Sequence, residues 1–184
     1  MIGIEKSKYD YLNDHNSFLG SLSLDNRITM GLLVNHFRIK SVIEIGTLFG
    51  FTANFFNSME LEVTTVDNYT WEPFEMTPEE HKEFTRNVLH IDVNQVVLNL
   101  EEDSRDQMRK KCPRNVDMVF IDADHKYDSV IKDLEYAYET ATKLIVGHDY
   151  LPVVHQDVVD AVDKFVDKNN LKLETKGNLF YIVV

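Results

Sequence analysis

The sequence predicts an α/β protein built on one doubly wound, mostly parallel, seven-stranded sheet. Three observations predict it. Short runs of β-branched and other apolar residues recur along the chain, alternating with stretches of helical periodicity. Each of the first five runs empties into glycine or polar residues. The last two runs are joined only by Lys176-Gly177-Asn178, room enough for a hairpin and nothing longer, so the final strand is antiparallel to its neighbour.

The elements follow in order. Residues 1–40 read as one or two helices ahead of the sheet, with Ser23 or Asp25 as a cap, and 41–184 form the core of a single domain. Strands are expected at 41–45, 63–66, 95–98, 116–121 and 143–146, then at 171–175 and 179–184 in the hairpin. Thr77-Pro78-Glu79-Glu80 has a capping threonine, proline at the first helical position and glutamate at the third. Ser104 and Gln107 repeat the capping-box spacing before a basic helix. Val130, Ile131, Leu134, Ala137, Tyr138 and Ala141 keep helical period, as do Val158, Val159, Val162, Phe165 and Val166. The stretch 68–76 is irregular and carries Tyr69, Trp71 and Phe74, which fit either a lid over a substrate or a loop pinned to the core.

Bulk properties exclude several classes. The chain has 184 residues, 43% hydrophobic and 27% charged, and can bury a real core. With 19 Lys+Arg against 31 Asp+Glu the net charge is −12, which repels phosphate backbones and argues against extended nucleic-acid binding. Arg105, Arg109, Lys110, Lys111 and Arg114 crowd together, but with carboxylates nearby they read as a solvated helix face. Cys112 is the only cysteine, so no internal disulfide forms and a reducing, cytoplasmic setting is expected. No signal core or membrane-length apolar run is present in the sequence.

The chemistry gathers at the strand ends. The first strand runs into Glu44-Ile45-Gly46-Thr47-Leu48-Phe49-Gly50. Gly46 permits a tight turn, and Gly50 lets the next helix begin close to a ligand. Leu48 stands where a dinucleotide fingerprint has its middle glycine, and Glu44 puts an acid two positions before the first. A pyrophosphate is badly served by that arrangement. S-adenosylmethionine, with an ammonium, a sulfonium and a ribose, welcomes carboxylates. Asp67 closes the second strand, where a carboxylate accepts both ribose hydroxyls; capping the next turn is its other reading. Asp103 and Ser104 follow the third strand, suited to an adenine amine or to helix capping. The fourth strand empties into Asp122-Ala123-Asp124-His125 and the fifth into Gly147-His148-Asp149, polar groups that need a wet cleft.

These residues resemble a known family. Residues 42–52, the segment 120–127 and the segment 145–150 look like class I S-adenosylmethionine-dependent methyltransferases. More narrowly, they are similar to the group that includes cephalosporin-hydroxylase-like and catechol O-methyltransferase-like enzymes. The resemblance covers residues 40–184. It implies a Rossmann-like sheet and a cofactor held by Glu44, Gly46, Thr47, Gly50 and Asp67, with Asp103, Ser104 and Asp122 alongside. In metal-dependent relatives the positions of Asp122, His148 and Asp149 hold a divalent cation, Mg²⁺ or Mn²⁺; the histidine shifts preference toward softer ions. His125 or His148 would take the acceptor's proton, with Asp122 part of the same catalytic group. The acceptor would be a small molecule or a peptide side chain. Two rivals remain: a nucleotide-linked oxidoreductase on the same sheet, and a binding protein that keeps the fold without turnover.

Overall fold

The computed structural model describes residues 22–71 and 75–184. Its elements are α1 (Leu24–Phe37), β1 (Ser41–Ile45), α2 (Phe51–Ser58), β2 (Glu62–Asp67), α3 (Pro78–Val88), β3 (Asn94–Val97) and α4 (Ser104–Lys111), followed by β4 (Val116–Ile121), α5 (Tyr127–Thr140), β5 (Ala141–Gly147), α6 (Gln156–Asn169), β6 (Leu173–Lys176) and β7 (Leu179–Val183). Any helix earlier than α1, and Phe74, lie outside the described residues.

The seven strands form one sheet in the order β3-β2-β1-β4-β5-β7-β6. β1 to β5 pair in parallel, and β7 runs antiparallel to both β5 and β6. The expected hairpin is therefore present, with β7 inserted between β5 and β6. Between β1 and β4 the strand order reverses, and a crevice opens there in folds of this kind.

Two apolar layers cover the sheet. On one face Met30, Leu33 and Val34 of α1 and Ala53 and Phe56 of α2 pack on Val42, Met118, Phe120, Leu144 and Val146. On the other, Met108 of α4, Leu134 and Ala137 of α5 and Val162 and Phe165 of α6 pack on Ile43, Ile45, Val119, Ile121 and Ile145. α4 and α5 are clamped at the surface by Arg105 with Glu135 and Arg109 with Glu139. The basic cluster thus pairs with acids on the next helix. Cys112 is buried.

Helix starts obey local chemistry. The Ser23 hydroxyl accepts from Asn26 N, and Thr77 and Glu80 complete a reciprocal capping box. At α4 the cap is Asp103, which accepts from the backbone of Arg105 and Asp106, so the expected Ser104–Gln107 box does not form. Gln107 instead holds the preceding loop, accepting from Asn99 N and donating to the carbonyls of Asn99 and Glu102.

Candidate active site

Backbone ladders continue past the strand ends and set the site side by side. Gly46 N donates to Val66 O, Asp122 N to Ile45 O and His148 N to Ile121 O, at 2.9, 2.9 and 3.0 Å. Above these ends lies a cavity of about 890 Å³, whose wall includes Leu48, Asp67, Ser104, Asp122, Asp133 and His148.

The turn after β1 is built for close approach. Gly46 has φ +97°, and a Cβ there would lie 1.9 Å from the Asp122 carbonyl oxygen. Leu48 also adopts the left-handed region, φ +45°, though it is not glycine. Its neighbours hold it there. One oxygen of Asp67 accepts from both Thr47 N and Leu48 N at 2.8 Å, and the other accepts from Tyr69 N at 2.8 Å. Thr85 and His81 of α3 bond the Leu48 carbonyl. The position read as a lost fingerprint glycine thus keeps a glycine-like backbone. Asp67 lines the cavity while clasping the loop, and a carboxylate has lone pairs for more than three donors.

Several expected contact residues sit elsewhere. Side chains alternate along β1, so Ile45 faces the cavity and Glu44 the opposite layer, beside its register partners Thr65 and Phe120. There Thr65 donates to Glu44 and shares a 2.6 Å hydrogen bond with Thr47. Burial raises the Glu44 carboxyl well above its ordinary range, against the Thr65 hydrogen bond. Glu44 and Thr47 therefore support the loop from beneath and do not line the cavity. Gly50 is also off the wall: its φ of +81° and the Leu89 side chain, 2.6 Å from a would-be Cβ, explain the glycine. Asp103 is spent on capping and on Lys132 Nζ at 3.2 Å, which leaves Ser104 as the lining residue of that pair.

The fourth and fifth strand ends do converge. His148 Nδ1 lies 3.6 Å from Asp122 Oδ1 and 3.2 Å from Asp149 Oδ1, while His125 Nε2 lies 3.2 Å from Asp149 Oδ2. Burial opposes charge on His148, but the two carboxylates outweigh it and raise its pKa to about 10. His125 is raised chiefly by its hydrogen bond to Asp149. Burial works against the charge on Asp149, but the two histidines prevail and lower its pKa. At the far ring nitrogen, the amide nitrogens of Asn26 and Asn178 face His148 Nε2 at 3.0 and 2.9 Å, while Asn26 donates to Asn178 Oδ1 at 2.7 Å. That geometry suits a neutral ring accepting at Nε2; a charged ring requires both amides to rotate together, which preserves their mutual bond.

A cation fits this cluster. Donor atoms of Asp122, His148 and Asp149 lie within 4.8 Å of one another. His148 Nδ1 is buried with no hydrogen-bond partner, although both carboxylates face it. With the amide oxygens turned toward Nε2–H, Nδ1 becomes a lone pair aimed between two carboxylates, and the asparagines fix its tautomer from behind.

Two described residues of the stretch 68–76 differ in their surroundings. Tyr69 is 2% exposed and accepts from Gln95, pinned to the core, whereas Trp71 is 70% exposed at the cavity wall. Sequence reasoning missed Asp133, Asn26 and Asn178. Asp133 was legible, since it falls on the apolar stripe of Val130, Leu134 and Ala137; the asparagines reach His148 from distant elements and carry no local signal.

No curated protein matches the sequence. Among solved structures, an O-methyltransferase from Bacillus cereus in complex with SAH superposes with TM-score 0.70 at 18% identity, covering 97% of this chain and 90% of that one. TomG from Streptomyces achromogenes, an O-methyltransferase of tomaymycin synthesis in complex with SAM, gives 0.66 at 16% identity, covering 96% and 86%. At these identities the likeness shows the fold. A family model described as a methyltransferase domain matches residues 43–150, more than half of the chain. The chain belongs to that methyltransferase family, and its sheet is the class I, Rossmann-like one.

Proposed function

We propose that this protein transfers a methyl group from S-adenosylmethionine to an oxygen or nitrogen of a small or peptide-borne acceptor. The observation that carries the reading is one cavity whose lining joins Gly46, Leu48 and Asp67 to Asp122, His125, His148 and Asp149. The SAH- and SAM-bound neighbours share the sheet on which this cavity sits.

S-adenosylmethionine would supply an electrophilic methyl group, whose carbon bonds to the acceptor's oxygen or nitrogen in line as its bond to sulfur breaks and the neutral thioether leaves. The chain's own residues align and deprotonate. Asp67 receives the ribose hydroxyls, Ser104 lies toward the adenine, and the Gly46 turn lets backbone approach the cofactor. Glu44 and Thr47 act through the loop they support. Holding both reactants in line contributes about 7–11 kcal/mol. His125, the more exposed of the two histidines on Asp149, takes the acceptor's proton, and Asp149 stabilises the imidazolium. Asp122, His148 and Asp149 would hold a divalent cation, which lowers the pKa of a bound hydroxyl; the imidazole favours Mn²⁺ or a softer ion over Mg²⁺.

Calorimetry with S-adenosylhomocysteine tests the cofactor half. Wild type should bind, and Asp67→Ala should bind at least about tenfold more weakly, since it loses charge-assisted bonds to ligand and loop together. Wild type that binds no S-adenosylhomocysteine, with or without Mn²⁺, would refute the reading.

A further inference from the structure

The loop from β5 to α6 ends on a histidine that the helix itself does not use. His155 stands at the N-cap of α6, where serine, threonine, aspartate or asparagine would satisfy a free backbone amide, and its side chain makes no capping bond. Its ring lies instead against His125, with centroids 4.4 Å apart and planes tilted by 58°. Two imidazoles so close repel each other as cations, so the pairing needs a reason beyond packing.

Asp149 supplies one. Its two oxygens face different histidines: Oδ1 lies 3.2 Å from His148 Nδ1, and Oδ2 lies 3.2 Å from His125 Nε2. One donor atom each from His125, His155 and Asp149 falls within 4.8 Å of the other two. Ligands about 2.0–2.2 Å from a tetrahedral Zn²⁺ stand roughly 3.4 Å from one another, and the His125–Asp149 pair already has that spacing. His125 and Asp149 line the cavity and His155 does not, so the group stands at the cavity's margin. Two imidazoles and one carboxylate make a set of three protein ligands that leaves a position open, and imidazole favours Zn²⁺ over Mg²⁺ or Ca²⁺.

We propose that His125, His155 and Asp149 form a second cation site, of the Zn²⁺ class, joined to the Asp122–His148–Asp149 cluster through one shared carboxylate. Each oxygen of Asp149 then serves one ion. Binding at this site stands without the methyl-transfer reading. Under that reading, the ion takes the His125 lone pair that receives the acceptor's proton, so the loaded site is an inhibited one.

The test is equilibrium dialysis against micromolar Zn²⁺, with bound metal counted per chain, on wild type, His155→Ser and His125→Gln. Serine is a favoured cap, so His155→Ser keeps the start of α6, and a lost ion cannot be put down to a lost helix. Each variant should hold one Zn²⁺ fewer than wild type, its affinity at this site reduced at least about tenfold, because even an outer partner of a metal ligand is worth that much. Wild type that takes up no Zn²⁺ overturns the assignment, and so does either variant that keeps the wild-type number of ions at wild-type affinity. Calorimetry with S-adenosylhomocysteine on the same proteins reads the methyl-transfer proposal separately. Intact binding there beside an unchanged Zn²⁺ count would remove this site alone, and absent binding beside the expected loss of Zn²⁺ would remove only methyl transfer.

Discussion

At the scale of single residues, the site is a set of carboxyls in unlike surroundings. Asp133 gives the sharpest test of that. Its carboxyl is raised from 3.8 to about 7 in the fold by burial. Between those values the folded chain holds a proton that the unfolded chain has released, so stability falls as pH rises and levels off above the folded pKa. Asp133→Asn removes the titration. Urea denaturation should show wild type losing about 2–3 kcal/mol more stability than the variant between about pH 5 and pH 8. Equal pH dependence would mean that Asp133 titrates like an exposed acid. The acids at strand ends were legible, because four apolar residues emptying into Asp122 need a cleft. Which of them face it was not. Glu44 is one residue from the cavity wall in sequence and on the opposite face of the sheet in space, since a strand turns alternate side chains away from each other. Asp103 suited an adenine amine or a helix cap from sequence alone, and the structure shows it capping α4.

At the scale of elements, the turn from β1 to α2 carries the tightest constraint. A methyl group on Gly46 meets backbone atoms of Asp122 and Ala123 at 1.9 to 2.9 Å, and backbone cannot rotate away as a side chain can. Gly46→Ala should cost at least about 3 kcal/mol in chemical denaturation, because two strand ends must part. A loss within about 0.5 kcal/mol would mean the loops are not pressed together. The glycine was legible as a turn; its partner across the sheet was not, since it depends on β4 lying beside β1. The strands were found to within a few residues because β-branched runs declare themselves. β5 runs from Ala141 and β2 from Glu62, each starting earlier than expected, where pairing with a neighbour extends a strand beyond its apolar stretch. The left-handed Leu48 was illegible for a related reason. Asp67, Thr85 and His81 hold it, and they come from two other elements.

At the scale of the whole molecule, strand order decides what meets. The reversal between β1 and β4 gathers five strand ends on one edge, and that much followed from the alternation of strands and helices. The contribution of α1 and of the β6–β7 turn did not. Asn26 and Asn178 stand 122 and 30 residues from His148, yet both meet its Nε2. Such support commonly changes metal affinity 10- to 100-fold, so Asn178→Ala should weaken Mn²⁺ binding by about tenfold in a titration that leaves S-adenosylhomocysteine binding intact. Equal Mn²⁺ affinity would show that the ring needs no such anchoring. None of the described helices is long and apolar enough to cross a membrane. The placement of Asn178 also bears on how the protein is made. A growing chain that has emerged only through β5 already carries Asp122, His125, His148 and Asp149, but β5 still has a bare edge and His148 lacks a brace. Docking of the hairpin closes that edge and brings Asn178 to the imidazole in one event, so a chain that lacks β6 and β7 should show both a sticky edge and a less firmly held His148.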